Sequence, residues 1–299
     1  MIIGPSNGVA FVRPPHGVLR SPPEVLAERI ARALHPDHVA AMAGPLPLRS
    51  DLSRGRRKNQ GRSYACSAHA LTKGIENATG FLGSDHVLYS ATGTTDTGRQ
   101  LVNVLAAAAS FGLAPYQGDS PDGRFSDVWT AQDTDARLPN VCTPPTYEER
   151  SQAAVHRFDF GGNSLDPKAP NLRNLIVGSF AIGACIYLGT QVGRAFMALG
   201  KGQVAAPADP NDPEDGGHAL LLDGHMTLAD ETRTEFVAKF GEGFDDDTTL
   251  VRAASSWGEE WDDDGECWGS LEWAASAWEM HPLYKPTSPT LFQRIAAAL

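Results

Sequence analysis

Lys58-Asn-Gln-Gly-Arg-Ser-Tyr-Ala-Cys-Ser-Ala-His-Ala-Leu71 is the stretch on which the reading of this 299-residue chain turns. It passes from a polar loop into a segment, Cys66 to Asn77, where Ala68, Leu71 and Ile75 recur at helical spacing and Gly80 supplies a stop. Cys66 therefore falls in the first turn of a predicted helix. There the macrodipole and unpaired backbone N–H groups favour a thiolate and lower the thiol pKa, which makes Cys66 a candidate nucleophile. A second buried helix is predicted over Leu101 to Ser110, ended by Gly112.

Further along, the pattern changes. Asn174 to Gly193 is uncharged but interrupted by Gly178, Gly183 and Gly189, so it reads as a buried helix plus a strand rather than a membrane span. Ala184 to Leu188, Ala219 to Leu222 and Leu250 to Ala254 are short apolar runs between turn residues, as strands packed on both faces require. Helices first and strands later make an α+β plan. Gly216-Gly-His-Ala-Leu-Leu-Leu222 puts His218 at the start of one strand, and Ala254-Ser-Ser-Trp-Gly-Glu-Glu-Trp261 follows the next.

A Cys, a distant His, and a polar residue before Trp-Gly follow one another in the order of the papain-like cysteine peptidases, and the chain resembles that family. Gln60-Gly61 followed by Cys66 resembles the family's Gln-Gly-x-Cys-Gly-Ser-Cys-Trp run, with the Gln six residues before the nucleophile. Gly217-His218-Ala219 resembles its Asp/Gly-His-Ala strand, and Ser255-Ser-Trp-Gly258 its Asn-Ser-Trp-Gly. Cys66-Ser-Ala-His-Ala is similar to the Cys-Thr-Ala-x-Ala of bacterial and phage members, and Asp96-Thr-Gly98 to the segment framing the non-primed substrate groove. The resemblance covers about residues 46 to 283 and implies a two-lobed fold. A helical lobe would carry the Cys and an antiparallel, β-barrel-like lobe the His.

The resemblance also implies roles. Cys66 attacks an amide carbonyl, and His218 takes its proton and passes it to the leaving amine. The Gln60 amide and the Cys66 backbone N–H form the oxyanion hole. Trp257 shields His218, and Asp96, Thr97, Gly98 and Gly217 border the substrate. Such a hydrolase needs no metal or organic cofactor. The family's orienting Asn is Ser255 here, a shorter group. Asp223, five residues along a strand from His218, points to the opposite face and does not replace it.

Composition bounds the alternatives. With 41% hydrophobic residues and a net charge of −11, the chain is globular rather than disordered. Between Ala205 and Glu266 lie 18 acidic and 3 basic residues, read as solvated loops without the spacing of a Ca²⁺ loop. The one basic cluster, Arg54 to Arg62, is short and lacks aromatics, so it is expected to face an acidic loop rather than nucleic acid. Cys66, Cys142, Cys185 and Cys267 are scattered, without a zinc or disulfide pattern, and the first residues show no secretory signal. A reducing setting, cytoplasmic or virion-associated, is expected.

Residues 1 to 45 read as an extended arm with one helix after a Ser21-Pro-Pro-Glu24 capping box, and residues 284 to 299 as a tail with a short helix from Ser288. The arm sits where family zymogens carry an inhibitory pro-segment. Peptide or protein substrates are the implied partners. The alternative is a catalytically weakened papain-like fold serving as a structural or binding component of a larger assembly, such as a phage particle, through residues 1–45 and 284–299.

Overall fold

The computed structural model describes residues 17–54, 57–60, 63–93, 97–116, 143–209, 211 and 216–285, and the backbone of 2–3 and 10–11. Asp96, Cys142 and the tail helix from Ser288 lie outside the described residues. Strand β1 (Ile2–Ile3) pairs with β2 (Ala10–Phe11), and β3 (Val18–Leu19) lies apart from them in the chain. Helices α1 (Pro23–Ala31) and α2 (Pro36–Ala43) follow, so the arm carries two helices rather than one. Pro36 opens α2, where a residue lacking N–H costs no helical hydrogen bond. Ser21 does not cap α1: the N-cap is Pro22, and no side chain caps the helix.

Helix α3 (Cys66–Thr79) begins at the cysteine and ends on Gly80, whose φ of 77° is the left-handed conformation that the C-terminus demands. Helix α4 (Asp85–Ala91), strand β5 (Arg99–Gln100) and helix α5 (Leu101–Ser110) follow on the helical side, joined by a helix over Tyr147–Ala154. Strand β5 pairs in parallel with β3.

The other side is a seven-stranded sheet of β4 (Arg49–Asp51), β6 (Cys185–Val192), β7 (Val204–Ala205), β8 (Gly216–Thr227), β9 (Thr249–Ala254), β10 (Glu266–Ser270) and β11 (Glu279–Leu283). Its order is β11-β6-β8-β9-β10-β7, with β4 on β8, and every pair but β10 with β7 is antiparallel. The path is open rather than a closed barrel. The uncharged stretch resolves into a helix, Leu172–Ala181, and β6. No described helix is long and apolar enough to cross a membrane.

Both faces of β6 and β8 are buried, as their apolar runs require. Tyr187, Ala219 and Leu221 point into one core with Cys66, Leu71 and Ile75 of α3; Ile186, Leu188, Leu220 and Leu222 point into the other with Trp257, Trp261 and Trp273. Helix α3 lies so close to the sheet that a Cβ at Gly74 would meet Leu221 at 2.9 Å and collide with Leu283. That contact fixes the height of Cys66 above β8. At the sheet edge Arg57 pairs with Glu266 and, at 3.4 Å, with Asp264, so this member of the basic cluster faces acidic residues. Asp223 is bound to Arg252 at 2.9 Å, on the face away from His218.

Candidate active site

The segment ahead of α3 is held by hydrogen bonds among the residues singled out from the sequence. Gln60 N donates to Ser256 O (2.7 Å), and Ser256 Oγ donates to Gln60 Oε1 (2.5 Å). Gln60 Nε2 donates to Ser63 O at 2.6 Å, and Ser63 Oγ donates to Gln60 O at 2.7 Å. Asn59 and Trp257 form an isolated antiparallel bridge. Asn59 and Gln60 are therefore tied to the Ser255-Ser-Trp turn, and Gln60 also to Ser63.

His218 enters from β8, opposite Thr190 of β6. Its Nε2 is 3.3 Å from Ser255 Oγ, and its ring stacks on Trp257 with centroids 4.4 Å apart. With Nε2 engaged by Ser255, Nδ1 is the ring nitrogen that can serve a second group. The Cys66 thiol is faced by the backbone N–H of Ala219, the residue after His218, and by those of Gly17 and Ser67. Hydrogen bonds thus link Gln60 and His218 to neighbouring residues of the Ser255-Ser256 turn, Cys66 packs in one core with Ala219, and Cys66 and His218 have no exposed surface.

What covers them is the arm. Gly17 O accepts a hydrogen bond from Arg99 N (2.8 Å), and β3 continues this pairing onto β5. A Cβ on Gly17 would collide with Tyr64 O and come within 3.0 Å of Cys66 Sγ. A Cβ on Gly98 would lie 2.9 Å from Gly17 O, and one on Gly217 would strike Val18 O. Gly98 and Gly217 therefore form the two walls between which residues 17 and 18 lie. Thr97 supports the first wall, its carbonyl accepting from Tyr89 Oη and Arg99 Nη1, both at 2.6 Å.

This architecture recurs in known structures. Xylellain, a cysteine protease from Xylella fastidiosa, is similar at 17% identity and a TM-score of 0.62, over 89% of this chain and 92% of that one. Procathepsin B of Trypanosoma congolense is similar at 14% identity and 0.58, over 85% and 80%. Bromelain of Ananas comosus, in complex with the E64 inhibitor, matches at 14% and 0.53, over 80% and 100%. The chain has the papain-like fold. No family profile and no curated protein sequence matches it.

In this papain-like fold the cleft between helical side and sheet is filled by the chain itself, and that overturns the expectation of a lowered thiol pKa. Burial pushes Cys66 up to about 11, although the backbone N–H groups of Ala219, Gly17 and Ser67 pull the other way. The field of the helix terminus is present, but loss of solvent beneath Gly17 and Val18 outweighs it. Among the described residues no group of His, Cys, Asp and Glu could hold a metal ion.

A clasp that sequence reading did not find keeps the arm of this papain-like fold in place. Ser21 N (3.2 Å) and Ser21 Oγ (2.7 Å) both donate to the buried carboxylate of Glu279. His281 Nε2, 2.8 Å from the same carboxylate, donates to it, which leaves Nδ1 to accept from Ser164 Oγ at 2.8 Å. Arg29 Nε of α1 donates to Ser164 Oγ at 3.2 Å. Glu-x-His in a strand places both side chains on one face, the signal that could have exposed this pair. Burial drives the His281 pKa down against the pull of Glu279. Glu279→Gln removes an acceptor from Ser21 and His281, and each buried donor left unpaired costs about 1–3 kcal/mol. Thermal unfolding should show the loss, and Cys66 alkylation should speed up about tenfold; unchanged values for both would exclude the clasp.

Proposed function

We propose that the chain is a papain-like cysteine peptidase held latent by its own residues 17–22. The observation that carries this reading is the setting of His218: one ring nitrogen on Ser255, the ring face on Trp257, and the next residue, Ala219, packed in one core with Cys66. In the proposed reaction Cys66 Sγ loses its proton to His218 and attacks the carbonyl carbon of a peptide bond. His218 then protonates the departing amine, and water hydrolyses the thioester. Gln60 and the Cys66 N–H stabilise the oxyanion, where one donor is worth roughly 3 kcal/mol. Thr97, Gly98 and Gly217, together with Asp96 from the sequence resemblance, border the peptide, and Trp257 keeps water from the His218–Ser255 contact. Residues 46–283 would be the peptidase unit, with 1–45 as the arm and 284–299 as the tail.

The test is turnover of a fluorogenic peptide amide by full-length protein whose arm has been displaced, with inactivation by one equivalent of iodoacetamide mapped to Cys66. A folded, open protein without turnover would defeat the peptidase reading. The buried thiol and the short Ser255 favour the second reading, a papain-like component of a larger assembly such as a phage particle. Ser255 acts only by orienting His218, the triad role whose loss costs least. Ser255→Ala is accordingly expected to lower kcat with KM unchanged, by clearly less than the loss from removing Cys66. A loss as large as that from removing Cys66 would show that the hydroxyl does more.

A further inference from the structure

The arm is a ligand already seated in the cleft, and its side chains mark what the cleft walls accept. Val18 is buried in the core that includes Cys66, whereas Arg20 is exposed and lays its guanidinium carbon 4.4 Å from the centroid of the Trp278 ring. Among the described residues Arg20 makes no ion pair, so the ring is its partner. Trp278 is fixed for this purpose. A Cβ on Gly217 would lie 2.7 Å from the ring, so the indole is backed directly by the strand that carries His218. Its backbone N donates to Gly189 O at 2.8 Å, which anchors the residue on β6. The indole thus lies against main chain next to the proposed base on one side, and the arm's cation lies against the ring.

We propose that Trp278 is a specificity-determining wall of the cleft, selecting peptides that place an arginine or lysine side chain on its outer face once the arm has left. The inference rests on the peptidase reading for its biological sense, but the recognition is a binding event. An aromatic face attracts a cation through its quadrupole, and a planar guanidinium can lie flat on the indole. The ring reads the side chain, so the preference holds whichever way the peptide runs. The protein's net charge of −11 acts in the same direction, drawing basic peptides toward it.

The test uses full-length Cys66→Ala protein, which cannot cleave, opened by Gly17→Val or, as a second route, Val18→Asp. Fluorescence anisotropy measures its binding of a labelled Gly-Val-Leu-Arg-Ser-Pro peptide and of the same peptide with citrulline, neutral and of the same shape, in place of arginine. The arginine peptide is expected to bind about fourfold tighter, a difference that Trp278→Leu erases. Equal binding by the two peptides, a difference that survives Trp278→Leu, or no binding by either overturns the inference. Because this readout needs no turnover, a failed peptidase assay beside a clear arginine preference would remove the proposed reaction and leave the recognition standing.

Discussion

Gly17→Val is expected to raise the alkylation rate of Cys66 at pH 7.5 by about a hundredfold, because thiolate fraction governs that rate. A valine side chain cannot be seated between Tyr64 O and Cys66 Sγ, where even a Cβ collides. The arm must leave, and the thiol returns from about 11 toward the ordinary value near 9 or below it. The pH dependence has a definite sign. A thiol whose pKa is raised in the closed form favours closure below the ordinary value, and that advantage is lost as pH rises through the window from about 9 to about 11. Wild-type alkylation should therefore climb across that window, whereas the Gly17→Val protein completes its climb at lower pH. Cys185, pushed up to about 12, and Cys267, which burial raises well above the ordinary value, serve as buried controls within the same chain. A folded Gly17→Val protein that reacts no faster than wild type would show that the arm is not what shelters the thiol.

Cys66→Ala, introduced into that open form, is expected to reduce peptide-amide turnover by at least about a thousandfold, since no other group can form the thioester. Its stability should change little. The removed atom is a single buried sulfur, and a cavity of that size costs on the order of 1 kcal/mol. Initial-rate assays and thermal melts on the same preparations separate the two effects. Residual turnover above a few per cent would require a different nucleophile, and a collapse in melting temperature would mean that Cys66 is chiefly a core residue.

Several elements were legible before any coordinates because periodicity decides them. The helix Leu101–Ser110 matches its sequence reading at both ends, and α3 begins at Cys66 as expected, running on to Thr79. The sheet was less visible. Strand β8 is twelve residues long, yet only Ala219 to Leu222 look like a strand, since Asp223 and His225 interrupt the apolar run that burial on both faces leads one to expect. Those two are buried through partners far away in sequence, Asp223 on Arg252 and His225 on Pro47 O. Gln60, His218 and Ser255 could be singled out in the sequence because separated motifs each carry a local signal, and the hydrogen bonds of Gln60 to Ser256 and of His218 to Ser255 join those motifs. An arm lying in the cleft was implied by the position of residues 1–45, but the contacts that hold it there were not legible. Gly17 and Val18 bind through main-chain groups, which every residue type carries, and Ser21 looked like a helix cap because its true partner lies in the last strand.

Ser21 and Glu279 are 258 positions apart. During synthesis the arm emerges first, and every group it needs for closure arrives afterwards: the wall at Gly98, then Gly217, and finally the carboxylate in β11. The arm cannot be clasped on a ribosome-bound chain whose last strand has not yet appeared. Contacts of such long range form late in folding, after the sheet has closed the intervening loop. The clasp is thus among the last long-range contacts the chain can make, after both walls of the cleft have appeared.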